Sequence, residues 1–550
     1  MNKFFSKLRF LSAKPAVFIY FFILSCVWTY PIIFRLNNRV LGFHDAFQNI
    51  WNLWWVKTAL IDLHTSPFYT NYIHWPKGVS LLFHTLTLTN SVIAIPLQYF
   101  LDLISTYNLL MVLNIAFAGF GTYLLANYLT KNKFAAFMAG YIVAFSPYLF
   151  SRTLGHLNLI SFGWVPLFIY FYLKMLKGQT RWFVPAIFLG LVAFTDLYYF
   201  YFTCLFLIIH WIYLTIFERK TLKENYVRLG LMVLASAILL SPYIGTLVYQ
   251  KLTNADFNFG GHNPMLYSLD TLALVTPGLT SHFKEHFVNF WQTWSWESQG
   301  YLGFSVLFLV IFGLIKIRSR EVFFWLVIFL IFIIFSLGPY LQIKGVTFKN
   351  IPLPYFLAEK YIPFLSFQGV ASRFMSFAYL ALAILAAYSL AYILRKITLI
   401  KIIIVIVLIS AIGVEYWPTS PVLSQIPISN FYDTLSKDKN DYAILDLSFE
   451  ESRVLYYQTI HHKRIIGGYI SRVPVSNSEF LLTTPTVSDI YQGRGFVENL
   501  DVKGAVEDLK KYRIKYVLIS VYDKNRLNMM TKLNLPVVYQ ASKMVVYQVY

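Results

Sequence analysis

Charged residues are scarce in this sequence. Only 13% of its 550 residues are Asp, Glu, Lys or Arg, and 57% are hydrophobic, whereas ordinary soluble domains have about 25% charged residues. A soluble chain of this length would need more charge to cover its surface. The aromatic share of 19% suits rings that lie among lipid tails and headgroups, so the composition predicts a polytopic integral membrane protein.

Cysteine is nearly absent as well. The two cysteines, Cys26 and Cys204, both lie inside apolar stretches, where a thiol behaves as a small hydrophobic side chain. Two such residues cannot supply a disulfide framework or a cysteine-ligated metal site.

The sequence also lacks the common motifs of soluble catalysis. It has no GxxxxGK[ST] phosphate loop, no GxGxxG after a strand and no HExxH zinc motif. ATP hydrolysis, dinucleotide chemistry and zinc proteolysis are therefore disfavoured. We also find no repeat of fixed period and no low-complexity tract.

The net charge of +20 raises the question of nucleic-acid binding. Residues 1–417 carry 30 Lys/Arg and 13 Asp/Glu, and residues 418–550 carry 16 and 13. The basic excess thus lies in short segments between apolar spans, as the positive-inside rule predicts. A nucleic-acid-binding domain would have one contiguous basic face, so no nucleic-acid partner is predicted.

Apolar runs of about 20 residues, long enough to cross a bilayer as helices, recur through residues 15–417. The start, MNKFFSKLRFLSAK, resembles a signal peptide in its charge, but no small-residue cleavage site follows, which predicts an uncleaved first helix. The predicted spans are 15–34, 86–130, 134–150, 158–176, 182–199, 200–217, 227–249, 301–315, 322–338, 373–394 and 399–417.

Basic residues orient these spans with the N-terminus inside. The segments 35–85, 250–300, 339–372 and 418–550 then lie outside. If Lys131 and Lys133 are inside, the stretch 86–130 must cross an odd number of times, so that one half is re-entrant or interfacial; otherwise this lysine pair faces out. The sequence therefore predicts 11 or 12 spans. The inside loops are marked by Lys174, Lys177 and Arg181; by Arg219, Lys220, Lys223 and Arg228; by Lys316, Arg318 and Arg320; and by Arg395, Lys396 and Lys401.

The character of the chain changes after Pro418 and Pro421. Short β-rich runs follow (YAILDLSF, KYVLISVY and VVYQASKMVVYQVY), with a predicted helix at 500–512 between them. This alternation predicts a small α/β domain. The expected architecture is an all-α transmembrane helical bundle over 1–417, with a long first outside loop at 35–85, and an extracytoplasmic α/β domain over 418–550.

The first outside loop contains the most informative residues. Residues 46–61 have apolar side chains at helical spacing and three tryptophans, which predicts a helix lying in the membrane interface. His44 and Asp45 come directly before it. Asp45 is either the N-cap of that helix or a general base at the membrane surface, where lipid-linked substrates arrive.

Six stretches of the chain resemble a known family. They are FHDAFQNIWNLWW, SPFYTNYIHWPKG, SPYLFSRTLGHLNLI, WESQGYLGFSVL, FSLGPYLQ and FQGVASRFMSFAYLAL. Over most of residues 15–420 the chain is similar to the bacterial polytopic glycosyltransferases of the GT-C superfamily, which use polyprenyl-phosphate-linked sugars. In that superfamily an acidic residue of the first extracytoplasmic loop acts at the catalytic centre, and Asp45 stands at the matching position.

One departure from the family pattern concerns metal binding. Many members carry paired acidic residues in this loop, whereas here His44 precedes the single Asp45. No metal ligand is therefore predicted; a divalent metal is possible but not indicated, and no cofactor is certain.

Three further residues are candidates for binding the lipid phosphate or the acceptor, together with His44. His156 lies at an outside helix end, where it could bind phosphate or relay a proton, or simply be a hydrogen-bonded interfacial histidine. Glu297 follows the tryptophan-rich QTWSW; acids at membrane depth are usually functional, although a carboxylate also stabilises a helix start. Arg373 could bind a phosphate bidentately or snorkel to the interface. For Asp196, structural pairing is expected.

The resemblance implies an inverting hexosyl or pentosyl transfer from a polyprenyl-phosphate-linked donor. The acceptor would be a cell-envelope glycan, lipid or protein on the extracytoplasmic side of a bacterial inner or plasma membrane, with membrane lipids as the further partner. Asp45 would be the base and Arg373 the phosphate partner, with His156 as the alternative. Two other classes stay open: a transporter or flippase of lipid-linked saccharides, and a membrane anchor that presents the C-terminal domain as a binding module.

Overall fold

The architecture is taken from a computed structural model of the chain. It describes residues 14–253, 262–287, 296–362, 365, 369–395, 398–494 and 501–550. The basic N-terminal stretch, most of QTWSW, the inside-loop residue Lys396 and the first two residues of FQGVAS lie outside this description.

The chain divides into two compact units, which we call the helical unit and the sheet unit. The helical unit comprises Met1–Leu36, Asn108–Leu240 and Gly260–Leu423. The sheet unit comprises Asn37–Tyr107, Ser241–Phe259 and Ser424–Tyr550. Most of the first outside loop therefore shares a unit with the C-terminal residues, so the division differs from the predicted boundary at 417.

The helical unit is built almost entirely of helices. Two long helices, Leu103–Thr130 and Arg219–Thr253, contain residues of both units. The other helices of this unit are Lys14–Trp28, Lys133–Ala144, Pro147–Ser151, Leu157–Ile160, Trp164–Leu176, Phe183–Thr195, Leu197–Phe217, Lys284–Phe287, Phe304–Lys316, Arg320–Ser336, Pro354–Tyr361, Met375–Ile393 and Leu399–Glu415, with 3₁₀ turns at Ile32–Phe34, Arg152–Leu154, Thr271–Leu274 and Ala371–Phe374.

Six helical stretches in the described part of the chain are long and apolar enough to cross a membrane, and some of them join consecutive helices and 3₁₀ turns into one stretch. They are Leu103–Thr130, Lys133–Leu154, Leu157–Leu176, Leu197–Phe217, Arg219–Gln250 and Ala371–Ile393. Shorter apolar helices occupy several other predicted spans, so the predicted 11 or 12 exceeds the number of full-length helices. The first predicted span, 15–34, ends as a helix at Trp28, shortly before Pro31, which cannot continue a helix interior.

The stretch 86–130 forms two helices of unequal length, Leu88–Leu97 and Leu103–Thr130. Ten helical residues span only about 15 Å, half of the roughly 30 Å hydrocarbon core. The first helix is too short to cross, which favours the alternative in which one half of this stretch is re-entrant or interfacial.

The centre of the helical unit is the helix Met375–Ile393, which is buried along almost its whole length. Lys133–Ala144, Phe304–Lys316 and Arg320–Ser336 pack against it. Small residues permit this close approach. Gly313 lies so near Ser389 that a Cβ on the glycine would collide with the serine, and small residues at such contacts let membrane helices pack closely.

The sheet unit contains a five-stranded mixed sheet. Its strand order is Val537–Gln540, Met544–Gln548, Ile514–Ser520, Ala443–Leu447 and Arg464–Ile465. The first two pairings are antiparallel and the last two parallel, with Val546 opposite Leu518 and Leu445 opposite Val517. Three consecutive residues of the central strand, Val517, Leu518 and Ile519, are fully buried, as in a sheet covered on both faces.

Helices and short hairpins complete the two units. In the sheet unit the helices are Asp45–Lys57, Leu88–Leu97, Asn430–Lys437, Glu451–His461, Val475–Thr483, Val487–Gln492, Val502–Lys511 and Lys524–Lys532, and Thr58–Asp62 is a π turn. Tyr69–Thr70 pairs with Val79–Ser80 in the sheet unit, and Tyr340–Ile343 pairs with Val346–Pro352 in the helical unit. The remaining strands are Val40–Leu41 and Leu423–Ser424.

The helix Asp45–Lys57, which we call the Asp45 helix, is buried on every face from Ala46 to Val56. Trp51 and Trp55 stack with ring centroids 5.9 Å apart, and the Trp51 indole donates to Gln458 Oε1 at 2.7 Å. The prediction of a helix lying in the membrane interface is therefore wrong. The three tryptophans are buried, and the indole N–H groups of Trp51 and Trp55 donate to Gln458 and to the Pro67 carbonyl inside the sheet unit, as buried indoles require.

Candidate functional site

Asp45 is the first residue of its helix rather than the cap. The residue before it, His44, has φ 49° and ψ −94°, and no side chain caps this helix start. A positive φ is unfavourable for a residue with a Cβ and often marks a functional position. The N-cap alternative for Asp45 is therefore wrong; its Oδ1 instead accepts a hydrogen bond from the Tyr469 hydroxyl at 3.1 Å.

His44 lies next to the same phenol. Its ring meets the Tyr469 ring edge-on, with centroids 5.6 Å apart, and the His44 side chain is exposed. The structure therefore brings His44, Asp45 and Tyr469 together within the sheet unit, where the exposed imidazole is accessible to a ligand from solvent.

A buried histidine, His84, lies beside the Asp45 helix. Its Nδ1 accepts from the Ser471 backbone N–H at 3.1 Å, so its Nε2 carries the proton and donates to Asn52 Oδ1 at 2.9 Å. Burial lowers the pKa of His84 to about 3, and the negative charge of Asp45 opposes this only in part. His84 is thus a neutral, fixed hydrogen-bonding group at physiological pH.

The helical unit holds a second cluster of charged side chains around Glu297. Its carboxylate forms ion pairs with Arg152, whose Nη1 contacts Oε2, and with Arg373, whose Nη2 lies 2.8 Å from Oε1. His156 Nε2 lies 3.4 Å from Oε1. Three residues singled out in the sequence, His156, Glu297 and Arg373, thus meet at one place.

The charge state of Glu297 follows from these neighbours. Burial by itself raises its pKa, but Arg152, Arg373 and His156 outweigh burial and hold the pKa of Glu297 well below its ordinary value. A carboxylate so strongly held in its ionised form is a poor base. Glu297 does not begin a helix either, since the next one starts at Phe304, so its role is that of a counter-ion.

Arg373 is buried in the 3₁₀ turn Ala371–Phe374. Its guanidinium carbon lies 4.5 Å from the centroid of the Tyr198 ring, and among the described residues its Nε has no hydrogen-bond partner. A snorkelling arginine would extend into solvent, so that alternative is wrong. The pairing with Glu297 and the stacking on Tyr198 hold the guanidinium in a fixed orientation.

Arg152 is the member of this cluster that the sequence reasoning missed. Its side chain is 1% exposed, and its guanidinium stacks on Tyr148 at 4.6 Å. A signal was present: Arg152 lies four residues before His156 in the apolar stretch SPYLFSRTLGHLNLI, where an unpaired arginine would be costly.

Asp196 has a structural role. Its Oδ1 caps the helix Leu197–Phe217 by accepting from the backbone N–H groups of Tyr198 and Tyr199, and its Oδ2 accepts from Asn158 Nδ2 at 2.6 Å. In the described parts of both units, no three His, Cys, Asp or Glu side chains lie close enough together to hold a metal ion.

Residues 18–414 match the model of a family described as a domain of unknown function (DUF6311). No curated protein sequence matches the chain.

Among solved structures, the mycobacterial arabinofuranosyltransferase AftD is similar at a TM-score of 0.59 and 12% sequence identity. The match covers 97% of this chain and 40% of AftD. Two structures of the Archaeoglobus fulgidus oligosaccharyltransferase, one without ligand and one with an inhibitory peptide and a dolichol-phosphate, match 92% of this chain and 69% of theirs. They do so at 12% and 13% identity with TM-scores of 0.47 and 0.48.

The fold assignment is based on AftD, because the TM-scores of the archaeal structures lie below 0.5. The resemblance to GT-C glycosyltransferases predicted from the sequence is confirmed at the level of the fold. The chain belongs to the DUF6311 family and has the fold of a GT-C membrane glycosyltransferase.

Proposed function

We propose that this protein transfers a sugar from a polyprenyl-phosphate-linked donor to an acceptor on the extracytoplasmic side of the membrane. The position of Asp45 is the main support for this proposal. On the GT-C fold, an acidic side chain begins the Asp45 helix in the first long loop, and its carboxylate is held by a hydrogen bond from Tyr469.

In the proposed reaction Asp45 is the general base. It takes the proton from an acceptor hydroxyl while the acceptor oxygen forms a bond to C1 of the sugar. The bond between C1 and the phosphate oxygen breaks, and the polyprenyl phosphate leaves with the electron pair. A single displacement of this kind inverts the configuration at C1. The donor already carries the required energy, so no ATP is needed.

We propose that side chains of the helical unit bind the phosphate of the lipid-linked donor. The buried guanidinium groups of Arg152 and Arg373 both contact the Glu297 carboxylate, and His156 lies beside them. Guanidinium groups bind phosphate oxygens in bidentate fashion. Glu297 keeps both side chains in place, and a phosphate would share them with it. His44, exposed beside Asp45, is proposed to contact the acceptor.

The proposed site of action follows from the basic loops. With the N-terminus inside, the positive-inside rule puts both the segment 35–85 and residues 418–550 outside the cytoplasm. A bacterial inner or plasma membrane, a cell-envelope glycan, lipid or protein as acceptor, and membrane lipids as further contacts complete the proposal.

The proposal is tested by Asp45→Asn. The carboxamide keeps an oxygen that accepts from Tyr469 but removes the basic oxygen, so we expect turnover to fall by about 10²–10⁴-fold, equivalent to roughly 3–5 kcal/mol. The measurement is transfer of label from radiolabelled polyprenyl-phosphate sugars, or their slow hydrolysis, by purified protein in lipid. Protein level and donor binding should stay as in the wild type.

The matched control is Asp433→Asn, which changes an exposed aspartate in the first turn of another helix of the sheet unit. Its turnover should equal that of the wild type. Wild-type turnover by Asp45→Asn would end the assignment of Asp45 as the base. Absence of label transfer and of donor hydrolysis by the wild type itself would favour a transporter or flippase of lipid-linked saccharides.

A further inference from the structure

We infer that Tyr469 is a positioning residue for Asp45, so that the C-terminal part of the chain supplies part of the catalytic apparatus. The inference rests on the proposed function of Asp45. From the sequence, residues 418–550 are expected to contact an acceptor or a partner rather than to perform the transfer, and a positioning role for Tyr469 departs from that expectation.

The contact between these two residues joins distant parts of the chain. The Tyr469 hydroxyl donates to Asp45 Oδ1 at 3.1 Å across 424 residues of sequence, and the Tyr469 ring meets His44. A donor on Oδ1 defines the rotation of the carboxylate about its Cβ–Cγ bond. It therefore also defines the direction in which Oδ2 can take a proton.

The segment 465–471, which we call the Tyr469 segment, is held on the N-terminal side of the tyrosine by the first outside loop. The Ile465 backbone N–H donates to the Tyr72 carbonyl at 2.9 Å, and the His74 N–H donates to the Gly467 carbonyl at 2.7 Å. These backbone bonds tie the Tyr469 segment to the loop that follows the Asp45 helix.

On the C-terminal side of the tyrosine, Ser471 provides the second attachment. Its backbone N–H donates to His84 Nδ1 at 3.1 Å, its hydroxyl lies 2.8 Å from that of Thr85, and Gln48 Nε2 donates to it at 3.2 Å. Gln48 lies one turn along the Asp45 helix. Both ends of the Tyr469 segment are thus hydrogen-bonded to the first outside loop, and the C-terminal end is also bonded to the Asp45 helix through Gln48.

Glycine permits this close approach. Gly468 has φ +130°, and a Cβ added there would lie 3.0 Å from Ile73 Cβ. A larger residue would be strained in this conformation and would push the Tyr469 segment away from the first loop. The backbone conformation at Gly468 therefore allows the Tyr469 hydroxyl to reach the Asp45 carboxylate.

The test is Tyr469→Phe in the full-length protein in lipid. A hydrogen bond to a carboxylate favours its ionised form, so its loss should move the acidic limb of the kcat–pH profile up by about one pH unit. We expect kcat to fall about tenfold, the lower end of what a hydrogen bond to a charged group contributes. KM for the donor should stay within about twofold.

The matched control is Tyr457→Phe. Its phenol donates to the Pro427 carbonyl at 2.7 Å in the same unit, so the loss of that hydroxyl should leave the acidic limb where it is. A second variant, Gly468→Ala, keeps the phenol but disturbs the Tyr469 segment, and it should move the limb in the same direction as Tyr469→Phe.

A structural role for Tyr469 predicts a different result. It would lower the unfolding temperature and the amount of active protein without moving the acidic limb, and an unmoved limb in Tyr469→Phe and Gly468→Ala overturns the inference. In the Asp45→Asn background, Tyr469→Phe should have no further effect on residual turnover. If Asp45→Asn retains turnover, the proposed role of Asp45 as the base fails; if only Tyr469→Phe behaves as wild type, this inference fails alone.

Discussion

Glu297 carries one negative charge between two buried guanidinium groups. Glu297→Gln leaves Arg152 and Arg373 without their counter-ion, and breaking a buried pair by removing one partner costs about 3–5 kcal/mol. We expect the variant to unfold at a markedly lower temperature at neutral pH, measured in detergent by thermal unfolding. Glu450→Gln removes the carboxylate of an exposed pair with Arg453 and should cost less than about 1 kcal/mol.

The pH dependence of the stability difference between the wild type and Glu297→Gln gives a second measurement. The pKa of Glu297 is lower in the folded chain than its ordinary value of 4.5. The contribution of the ionised Glu297 to the free energy of unfolding is therefore complete above pH 4.5, and it is lost as the pH falls through the lower pKa of the folded chain. Wild type and Glu297→Gln should converge in stability only in strong acid. A gap that closes already between pH 7 and pH 5 would contradict the burial and pairing of this carboxylate.

At the scale of single residues, the sequence indicated which side chains were candidates but not that they lie close together in the fold. His156, Glu297 and Arg373 could each be singled out, because polar side chains in apolar surroundings are costly and usually functional. Their association could not be predicted, since Glu297 pairs with residues 145 and 76 positions away in the chain. No local pattern encodes such contacts.

At the scale of elements, the Asp45 helix shows where reasoning from sequence patterns stops. Helical spacing at Ile50, Trp51 and Trp54 predicted a helix, and the structure contains one. Its environment was predicted wrongly, because tryptophan is equally suited to a membrane interface and to a protein core. The polar residues Gln48 and Asn52 are buried in this helix and hydrogen-bonded to other parts of the sheet unit, which its apolar periodicity does not reveal.

The burial of this helix predicts a large cost for Trp51→Ala. Trp51 is fully buried and donates to Gln458, so we expect a loss of about 3–5 kcal/mol in unfolding free energy. The measurement is chemical or thermal unfolding of the full chain. Trp417→Ala, at a tryptophan that is 48% exposed, should cost less than half as much. Equal effects of the two changes would favour an interfacial position for Trp51.

At the scale of the whole molecule, the apolar runs located most of the helices, and the three β-rich runs coincide with strands of the five-stranded sheet. What could not be predicted is the grouping of residues 37–107 with residues 424–550. That grouping depends on contacts such as the one between Trp51 and Gln458, which are 407 residues apart. Contacts at this separation leave no trace in composition or periodicity.

This grouping bears on how the C-terminal residues fold alone. From the sequence, a fragment that begins near residue 420 is expected to be soluble and folded. Without residues 37–87, however, Gln458 loses the Trp51 indole and the Tyr72 carbonyl, and each buried polar group left unpaired costs about 1–3 kcal/mol. We expect 424–550 to melt at a lower temperature by circular dichroism than the same residues joined to 37–87 through a flexible linker. Identical melting of the two would show that the C-terminal residues fold independently.

Membrane orientation is tested on the whole chain. The basic loops that include Arg318 and Arg395 predict, by the positive-inside rule, that residues 418–550 lie outside the cytoplasm. A reporter that is active only in the cytoplasm, fused after Tyr550, should give no signal, and the same reporter placed after Lys177 should be active. Signal from the fusion after Tyr550 would reverse the proposed side of the reaction.

The distance along the chain between Asp45 and Tyr469 also has a consequence in time. A ribosome adds about 5–20 residues per second, so the 424 residues between them take roughly 20–85 s to synthesise. During that interval the nascent protein has its carboxylate but not the phenol that orients it. Under the proposed function, a chain whose synthesis has not yet reached residue 469 is therefore expected to transfer sugar more slowly than the full-length protein.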